Sequence, residues 1–248
     1  MIVFPMAGLS SRFLKAGYET PKFMLPLWDH FVFDYAAASF RPRFASERFV
    51  FIYRETGGVR DFIEARARSL GIADATLVAL ERETAGQAET VELGLDLASA
   101  GAAEPITVFN IDTFRNPDIA VSGLRQDVAG WLEVFRGEGD NWSFVEPAAE
   151  PGLVRRTTEK QPISDLCCTG LYQFATADLF RAALAAERKS PNAPELYVAP
   201  IYNHLISAGE AIGFGLVERA DITFCGVPAE YEELLERPAP YAPGIAPA

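Results

Sequence analysis

Over its first 112 residues the chain alternates short apolar runs with stretches whose apolar residues recur at helical spacing. Residues 2–6, 48–53, 75–80 and 105–111 are too short and too continuously apolar for helices and read as strands. Between them, residues 33–40 carry a short helical pattern, and 57–70 set Val59, Phe62, Ile63, Ala67 and Leu70 on one helix face. Ala88, Val91, Leu95 and Ala98 repeat the spacing, with Glu89, Glu92 and Asp96 on the other faces. Strands joined by helices cannot pair as hairpins; the helices are crossovers, and the sheet they build is parallel.

The second half differs. Strand-like runs at 131–135, 142–145 and 166–174 follow one another with few helical patterns between them. They are expected as antiparallel additions to the same sheet. Helical patterns follow at 177–186 and 195–208, strands at 212–217 and 222–225, and a last helix at 229–236. No linker or repeat divides the chain, so residues 1–236 are expected to form a single domain. Residues 237–248 form a Pro/Ala-rich tail, expected to be extended or disordered.

Composition narrows the function. A hydrophobic content of 49% is globular. A net charge of −12 with no basic run offers no groove for nucleic acid. No apolar run reaches the about 18–20 residues that span a bilayer, and the first residues lack the charge and length of a signal peptide. A cytoplasmic protein that binds neither membrane nor nucleic acid is expected. The three cysteines form no CxxC pair, so they read as small buried hydrophobes rather than zinc ligands or disulfides. Two histidines, His30 and His204, stand in no acid–base context.

The first strand runs into Ala7-Gly8-Leu9-Ser10-Ser11-Arg12, with Pro21-Lys22 ten residues on. Ligands of open α/β sheets bind at the carboxyl ends of the strands. A Gly-Ser-Ser turn there presents backbone N–H groups to an anion, Arg12 offers a planar fork for phosphate oxygens, and Pro21 stiffens the approach of the Lys22 cation. The glycines of a dinucleotide fingerprint and the GK[ST] of a P-loop are missing.

This stretch resembles the opening motif of the sugar-nucleotide pyrophosphorylases and related sugar-1-phosphate nucleotidylyltransferases, usually A-G-x-G-[ST]-R followed by P-K, with Ser10 in place of the second Gly. Thr84-Ala85-Gly86-Gln87-Ala88 is similar to the family's base-reading segment. Asn110-Ile111-Asp112 is similar to its metal-binding Asp. Glu159-Lys160 is similar to its Glu-Lys-Pro, with Gln161 for Pro, and Gly170-Leu171-Tyr172 to its later G-[IL]-Y strand. Gly226-Val227-Pro228 is similar to its G-T-P turn. The resemblance implies a three-layer α/β/α fold with a mixed, mostly parallel sheet, GT-A-like with a Rossmann-like first half.

The implied reaction moves a nucleoside monophosphate from a nucleoside triphosphate to a sugar 1-phosphate or similar phosphorylated acceptor, releasing pyrophosphate, for sugar-nucleotide or surface-polysaccharide synthesis. The resemblance assigns Ala7, Gly8, Leu9, Ser10 and Ser11, with Gly86 and Gln87, to the nucleotide. It assigns Arg12 to the leaving β- and γ-phosphates, Lys22 to the α-phosphate and Asp112 to Mg2+. Glu159, Lys160, Gly170, Glu195 and Asn203 fall to the acceptor. A homo-oligomer is compatible with it. One position departs: Phe224 stands where family members carry a second metal-binding Asp, and Asp221 is out of register. Two other readings stay open, a glycosyltransferase of similar fold and a non-catalytic nucleotide-sugar-binding protein.

Overall fold

The computed structural model describes residues 1–119, 127–241 and 243. The first half contains β1 (Ile2–Pro5), α1 (Ser11–Lys15), β2 (Pro26–Leu27), β3 (His30–Phe31), α2 (Val32–Ala38), β4 (Arg48–Arg54), α3 (Val59–Leu70), β5 (Asp74–Leu80), α4 (Gln87–Leu97) and β6 (Ile106–Phe109). The second contains β7 (Thr113–Arg115), β8 (Gly130–Arg136), β9 (Ser143–Pro147), β10 (Val154–Glu159), β11 (Leu166–Phe174), α5 (Ala177–Lys189), α6 (Val198–Ser207), β12 (Ile212–Leu216), β13 (Ile222–Phe224) and α7 (Pro228–Leu235).

Among the described residues, nine strands make one sheet. The predicted parallel half is present: β1 lies between β6 and β4, and β4 pairs with β5, all parallel. Strand alternation sends Val3, Val50, Ile52 and Val108 to one face, under α4, α5 and α6. It sends Phe4, Phe49, Phe51 and Phe109 to the other, under α2 and α3. The three layers follow from those two buried faces.

The long β11 organises the second half. It runs antiparallel to β6 over Leu171–Phe174 and to β8 along the opposite edge, and β12 adds to β8 in parallel. The start of β11 continues past the carboxyl end of β6, where Cys167 meets Phe144 of β9, and β10 extends from β9. The sheet therefore forks between β6 and β9. The fork opens at the carboxyl end of the parallel strands, where the Ala7–Arg12 loop also emerges.

Three differences from the sequence reading have local causes. Helix α1 and the β2–β3 hairpin fill the stretch after β1, too short to show a period. Strand β7 is three residues and, among the described residues, pairs only with β13. Strand β10, Val-Arg-Arg-Thr-Thr-Glu, hides its pattern because it is an edge: Arg155 and Arg156 both point to Glu146 across β9, at 2.6 and 2.5 Å. The described part of the Pro/Ala tail is anchored rather than loose. Tyr241 donates to the carbonyl of Tyr35 at 3.0 Å; residues 242 and 244–248 of the predicted tail lie outside the described residues.

The cysteines are buried and free, as their spacing suggests. Burial pushes the thiols of Cys167 and Cys225 up to about 11 and about 12, which leaves them as unreactive thiols.

Candidate active site

The chain leaves β1 at the carboxyl edge of the sheet, where the N–H of Met6 still donates to Ile52 at 2.8 Å. It turns through Ala7–Gly8–Leu9 into Ser10, which is left-handed at φ 49°, ψ 34°. A side chain in that region carries a cost of roughly 1–2 kcal/mol, so the Gly of the family pattern is the unstrained choice. Ser10 brings a compensating contact: its Oγ accepts from the backbone N–H of Lys22 at 3.3 Å. The loop and the Pro-Lys segment are thus tied directly. Leu9, Ser11 and Arg12 are exposed at the loop's rim, and among the described residues the Arg12 side chain forms no hydrogen bond or ion pair. Its guanidinium is available to an anion.

Pro21 holds an extended backbone ahead of a single 3-10 turn at Lys22–Met24, and buried Phe23 anchors that turn. Lys22 consequently points back to the sheet. Its Nζ lies 2.5 Å from Asp112 Oδ2, each side chain about a fifth exposed (20% and 21%). Asp112 leaves the carboxyl end of β6, and its carbonyl accepts from Cys225 N–H at 2.8 Å. The Gly226-Val227-Pro228 turn then packs edge-on. A Cβ on Gly226 would stand 3.2 Å from Asp112 Oδ2. Glu230, unmarked by sequence reading, fixes that turn by accepting from the N–H groups of Gly226 and Val227 at 2.8 and 3.2 Å.

Asn110 is held from both sides. Its Oδ1 accepts from Gln87 Nε2 at 2.6 Å, and its N–H donates to Gly170 at 3.1 Å. Gly170 has φ +97°, and a Cβ there would lie 2.5 Å from the Asn110 amide nitrogen. Gly170 thus backs Asn110 at the irregularity in β11.

The Thr84–Ala88 segment opens α4 and is joined to the loop before α6. Leu196 N–H donates to Ala85 at 3.1 Å, and Ala88 N–H to Leu196 at 2.7 Å. Gly86 sits between them, at φ +155°, and a Cβ would fall 2.6–2.8 Å from the Leu196 backbone. Changing Gly86 to Ala is expected to cost about 1–3 kcal/mol from the backbone region alone, a fall of several degrees in Tm, and to raise nucleotide KM as the Leu196 loop gives way. A thermal melt together with nucleotide kinetics checks it.

On the far side of the fork, Ser143 of β9 faces Glu159 of β10 in register, and its Oγ donates to Glu159 Oε2 at 2.5 Å. Burial pushes the Glu159 carboxyl above its ordinary range, against the Ser143 hydrogen bond. Lys160 is left-handed at φ 53°. That turn swings its Nζ to Tyr197 Oη at 2.8 Å while its N–H donates to Trp142 at 2.8 Å. Glu195 lies next to this group, on the Leu196 loop.

Asn203 does something different. Its Oδ1 accepts from Thr157 N–H at 2.8 Å and its Nδ2 donates to the Thr157 carbonyl at 2.9 Å. The amide that needs a partner on the α6 face finds it in the backbone of β10, so Asn203 braces the strand carrying Glu159. The structure thus brings Ser10, Lys22 and Asp112 together, joins Gln87 to Asn110 and Gly86 to the Glu195 loop, and gathers Glu159 and Lys160 opposite.

Mg2+ takes oxygen ligands and is commonly held by one or two carboxylates together with phosphates. Asp112 fits as one such ligand, since its second oxygen has no hydrogen-bond partner among the described residues. Among them there is also no group of three His, Cys, Asp or Glu side chains that could enclose a metal. Phe224 adds no oxygen; its ring packs on Trp142 at 4.6 Å between centroids.

No family model matches the chain, and no curated protein sequence does. Solved structures do. The nucleoside-diphosphate-sugar pyrophosphorylase from Vibrio cholerae RC9 is 46% identical over 96% of this chain and 100% of that one, with a TM-score of 0.90. The inositol-1-phosphate CTP transferase from T. maritima is 18% identical over 95% of this chain and 94% of that one, at TM-score 0.74. A UDP-glucose pyrophosphorylase complexed with UDP-glucose is 18% identical over 95% and 96%, at TM-score 0.71. The last two are similar in fold; the identity and full coverage of the first go further, and the chain belongs to the nucleoside-diphosphate-sugar pyrophosphorylase family.

Proposed function

We propose that the protein transfers a nucleoside monophosphate from a nucleoside triphosphate to a sugar 1-phosphate, releasing pyrophosphate. The observation that carries the reading is the Lys22–Asp112 pair at the carboxyl ends of the parallel strands, tied to the loop that carries Arg12, whose side chain has no partner among the described residues. A transferring phosphoryl group needs positioning and charge neutralisation rather than a covalent nucleophile.

An oxygen of the acceptor phosphate attacks the α-phosphorus in line. The bond to the bridging oxygen breaks, and its electron pair leaves with pyrophosphate. The N–H groups of the Ala7–Ser11 turn and Arg12 hold the β- and γ-phosphates, so charge developing on the leaving group meets fixed donors. Lys22 neutralises the α-phosphate. Asp112 would hold Mg2+, which when bound neutralises phosphate charge. Gln87 and Gly86 orient the base. Glu159 accepts hydrogen bonds from acceptor hydroxyls, Lys160 meets the acceptor phosphate, and Glu195 adds a second carboxylate beside them. The product would feed sugar-nucleotide and surface-polysaccharide synthesis in the cytoplasm. Among the described residues no helix is long and apolar enough to cross a membrane.

The test begins with the triphosphates alone. A ligand that binds only the folded state raises Tm, by about 2.7 kcal/mol of stability at a hundred times its Kd. One of the common triphosphates is expected to raise Tm in a Mg2+-dependent way, and adding a sugar 1-phosphate is expected to release pyrophosphate. A shift with nucleotide sugars and none with any triphosphate would overturn the reading in favour of a glycosyltransferase or a binding protein.

A further inference from the structure

Glu187 is a buried carboxylate that the proposed chemistry leaves unused. It stands in the last turn of α5, the end of a helix that favours cations over anions, and its side chain is only 1% exposed. Among the described residues no Lys or Arg lies within ion-pair distance of it. Burying a carboxylate is costly unless donors replace its water, and three do so here. Asn192 donates its backbone N–H to Oε1 at 2.6 Å and its Nδ2 to Oε2 at 2.7 Å. His204 Nε2 lies 2.7 Å from Oε2. A carboxylate only accepts, so Nε2 carries a proton toward it. The 2.9 Å between His204 Nε2 and Asn192 Nδ2 follows from two donors meeting on one oxygen.

The loop that this carboxylate holds reaches both halves of the candidate site. Asn192 is exposed and lies in the 190–197 connection between α5 and α6. Pro194 stands between Asn192 and Leu196 and fixes one φ there, so holding Asn192 limits where Leu196 can go. Leu196 donates to Ala85 and accepts from Ala88, around the Gly86 proposed to orient the base. The next residue, Tyr197, receives Lys160 Nζ on its Oη at 2.8 Å, and Glu195 precedes Leu196. The supports on either side are themselves tied down. Arg188, next to Glu187, makes a two-pronged pair with Glu92 of α4 at 2.9 and 2.6 Å. Asn203, next to His204, is bonded to the Thr157 backbone of β10.

We propose that Glu187, acting through Asn192 and His204, is a positioning residue that sets residues 195–197 against the nucleotide and acceptor subsites at once. The inference rests on the nucleotidyl-transfer reading. The effect of this cluster on the reaction passes through the loop. Loosening it releases Leu196 from Ala85 and Ala88, and Tyr197 from Lys160, in one event, so the two substrates weaken together.

Pyrophosphate release is measured with each common nucleoside triphosphate against glucose 1-phosphate and N-acetylglucosamine 1-phosphate. The best pair then compares wild type with Asn192→Ala, His204→Ala and the donor-preserving His204→Gln. Thermal melts report folding, and amide hydrogen exchange follows the N–H groups of Leu196 and Ala88. Because Asn192 is exposed, its variant leaves the core intact. Asn192→Ala and His204→Ala are expected to raise KM for both substrates by about three- to tenfold, the scale of one lost hydrogen bond. The kcat is expected to stay within about twofold of wild type, the pattern of lost binding rather than lost chemistry. Exchange at Leu196 and Ala88 is expected to rise in step, and His204→Gln to recover most of the loss, since its amide supplies a donor to the same oxygen. A lowered Tm with both KM values unchanged would make the cluster structural and overturn its positioning role while the reaction stands. A KM rise confined to one substrate, or unaltered exchange at Leu196 and Ala88, would overturn it in the same way. No pyrophosphate from wild type with any pair would overturn the reaction and the positioning role with it.

Discussion

Lys22→Ala is expected to lower kcat by about 10²–10³-fold, the range measured when one preorganised donor to a developing charge is removed, while changing Tm by no more than a degree or two. The two halves of the expectation have separate causes. In the folded protein Lys22 is engaged with Asp112, but both side chains are about a fifth exposed, and water compensates a partly exposed ion pair so well that removing it costs little stability. In the proposed reaction the same cation neutralises charge at the α-phosphate, where a positioned donor contributes far more than it does in a partly exposed ion pair. Lys22→Arg is expected to restore little, because a broad planar guanidinium cannot occupy the point a compact ammonium occupies. A third readout separates this from a purely structural role. Lys22 and a divalent ion both seek Asp112, so removing the lysine is expected to tighten Mn2+ binding to the nucleotide-free protein even as turnover falls. Mn2+ titration by electron paramagnetic resonance checks it. Turnover within a few-fold of wild type would remove Lys22 from the chemistry.

Much of this was legible because its signals are local. Parallel strands buried on both faces read as apolar runs, and their helices as 3.6-residue periods; β1, β4, β5, β6 and helices α2, α3 and α4 follow directly. The candidate loop stood out for a similar reason: glycine, small hydroxyls, Arg12 and Lys22 lie within one short stretch. What escaped is what depends on pairing. Ser143 and Glu159 are sixteen residues apart and meet only because β10, a polar edge strand, lies in register with β9. The fork between β6 and β9 is a property of β11's three neighbours, which no single segment encodes. Asn203 shows the converse. A polar amide on a helix face does signal a partner, but the sequence cannot say whether that partner is substrate or, as here, the Thr157 backbone. Phe224 was visible as a departure, but the ring it packs on, Trp142, is eighty-two residues away in the chain.

Arg115→Met is expected to destabilise the protein by about 3–5 kcal/mol, the cost of leaving one member of a buried ion pair alone. Arg115 begins no chemistry, but it locks the frame of the fork. Both it and Glu133 are 1% exposed, with Nε 2.8 Å from Glu133 Oε2. Its Nη1 donates to Ile119 at 2.5 Å and its backbone N–H to Ser39 Oγ at 2.9 Å. Thr169 Oγ1 donates to the other Glu133 oxygen at 3.1 Å. Strands β7, β8 and β11 are thereby pinned together, and β7 begins at the residue after Asp112. Burial already pushes Glu133 above its ordinary 4.5, with Arg115 and then Thr169 pulling it down. Without Arg115 the carboxyl rises further. A carboxyl raised in the folded state favours folding when protonated, and that advantage is lost as pH climbs through the folded value. The difference in stability between variant and wild type is therefore expected to be largest near pH 8 and to shrink toward pH 5. Urea denaturation at the two pH values measures it. Removing both charges in Arg115→Met/Glu133→Leu should recover most of the loss and flatten the pH dependence, because no uncompensated charge then remains in the core. A single variant equally destabilised at both pH values would mean that the guanidinium acts through its packing and its carbonyl contacts, and that the charge of Glu133 is not what the pair protects.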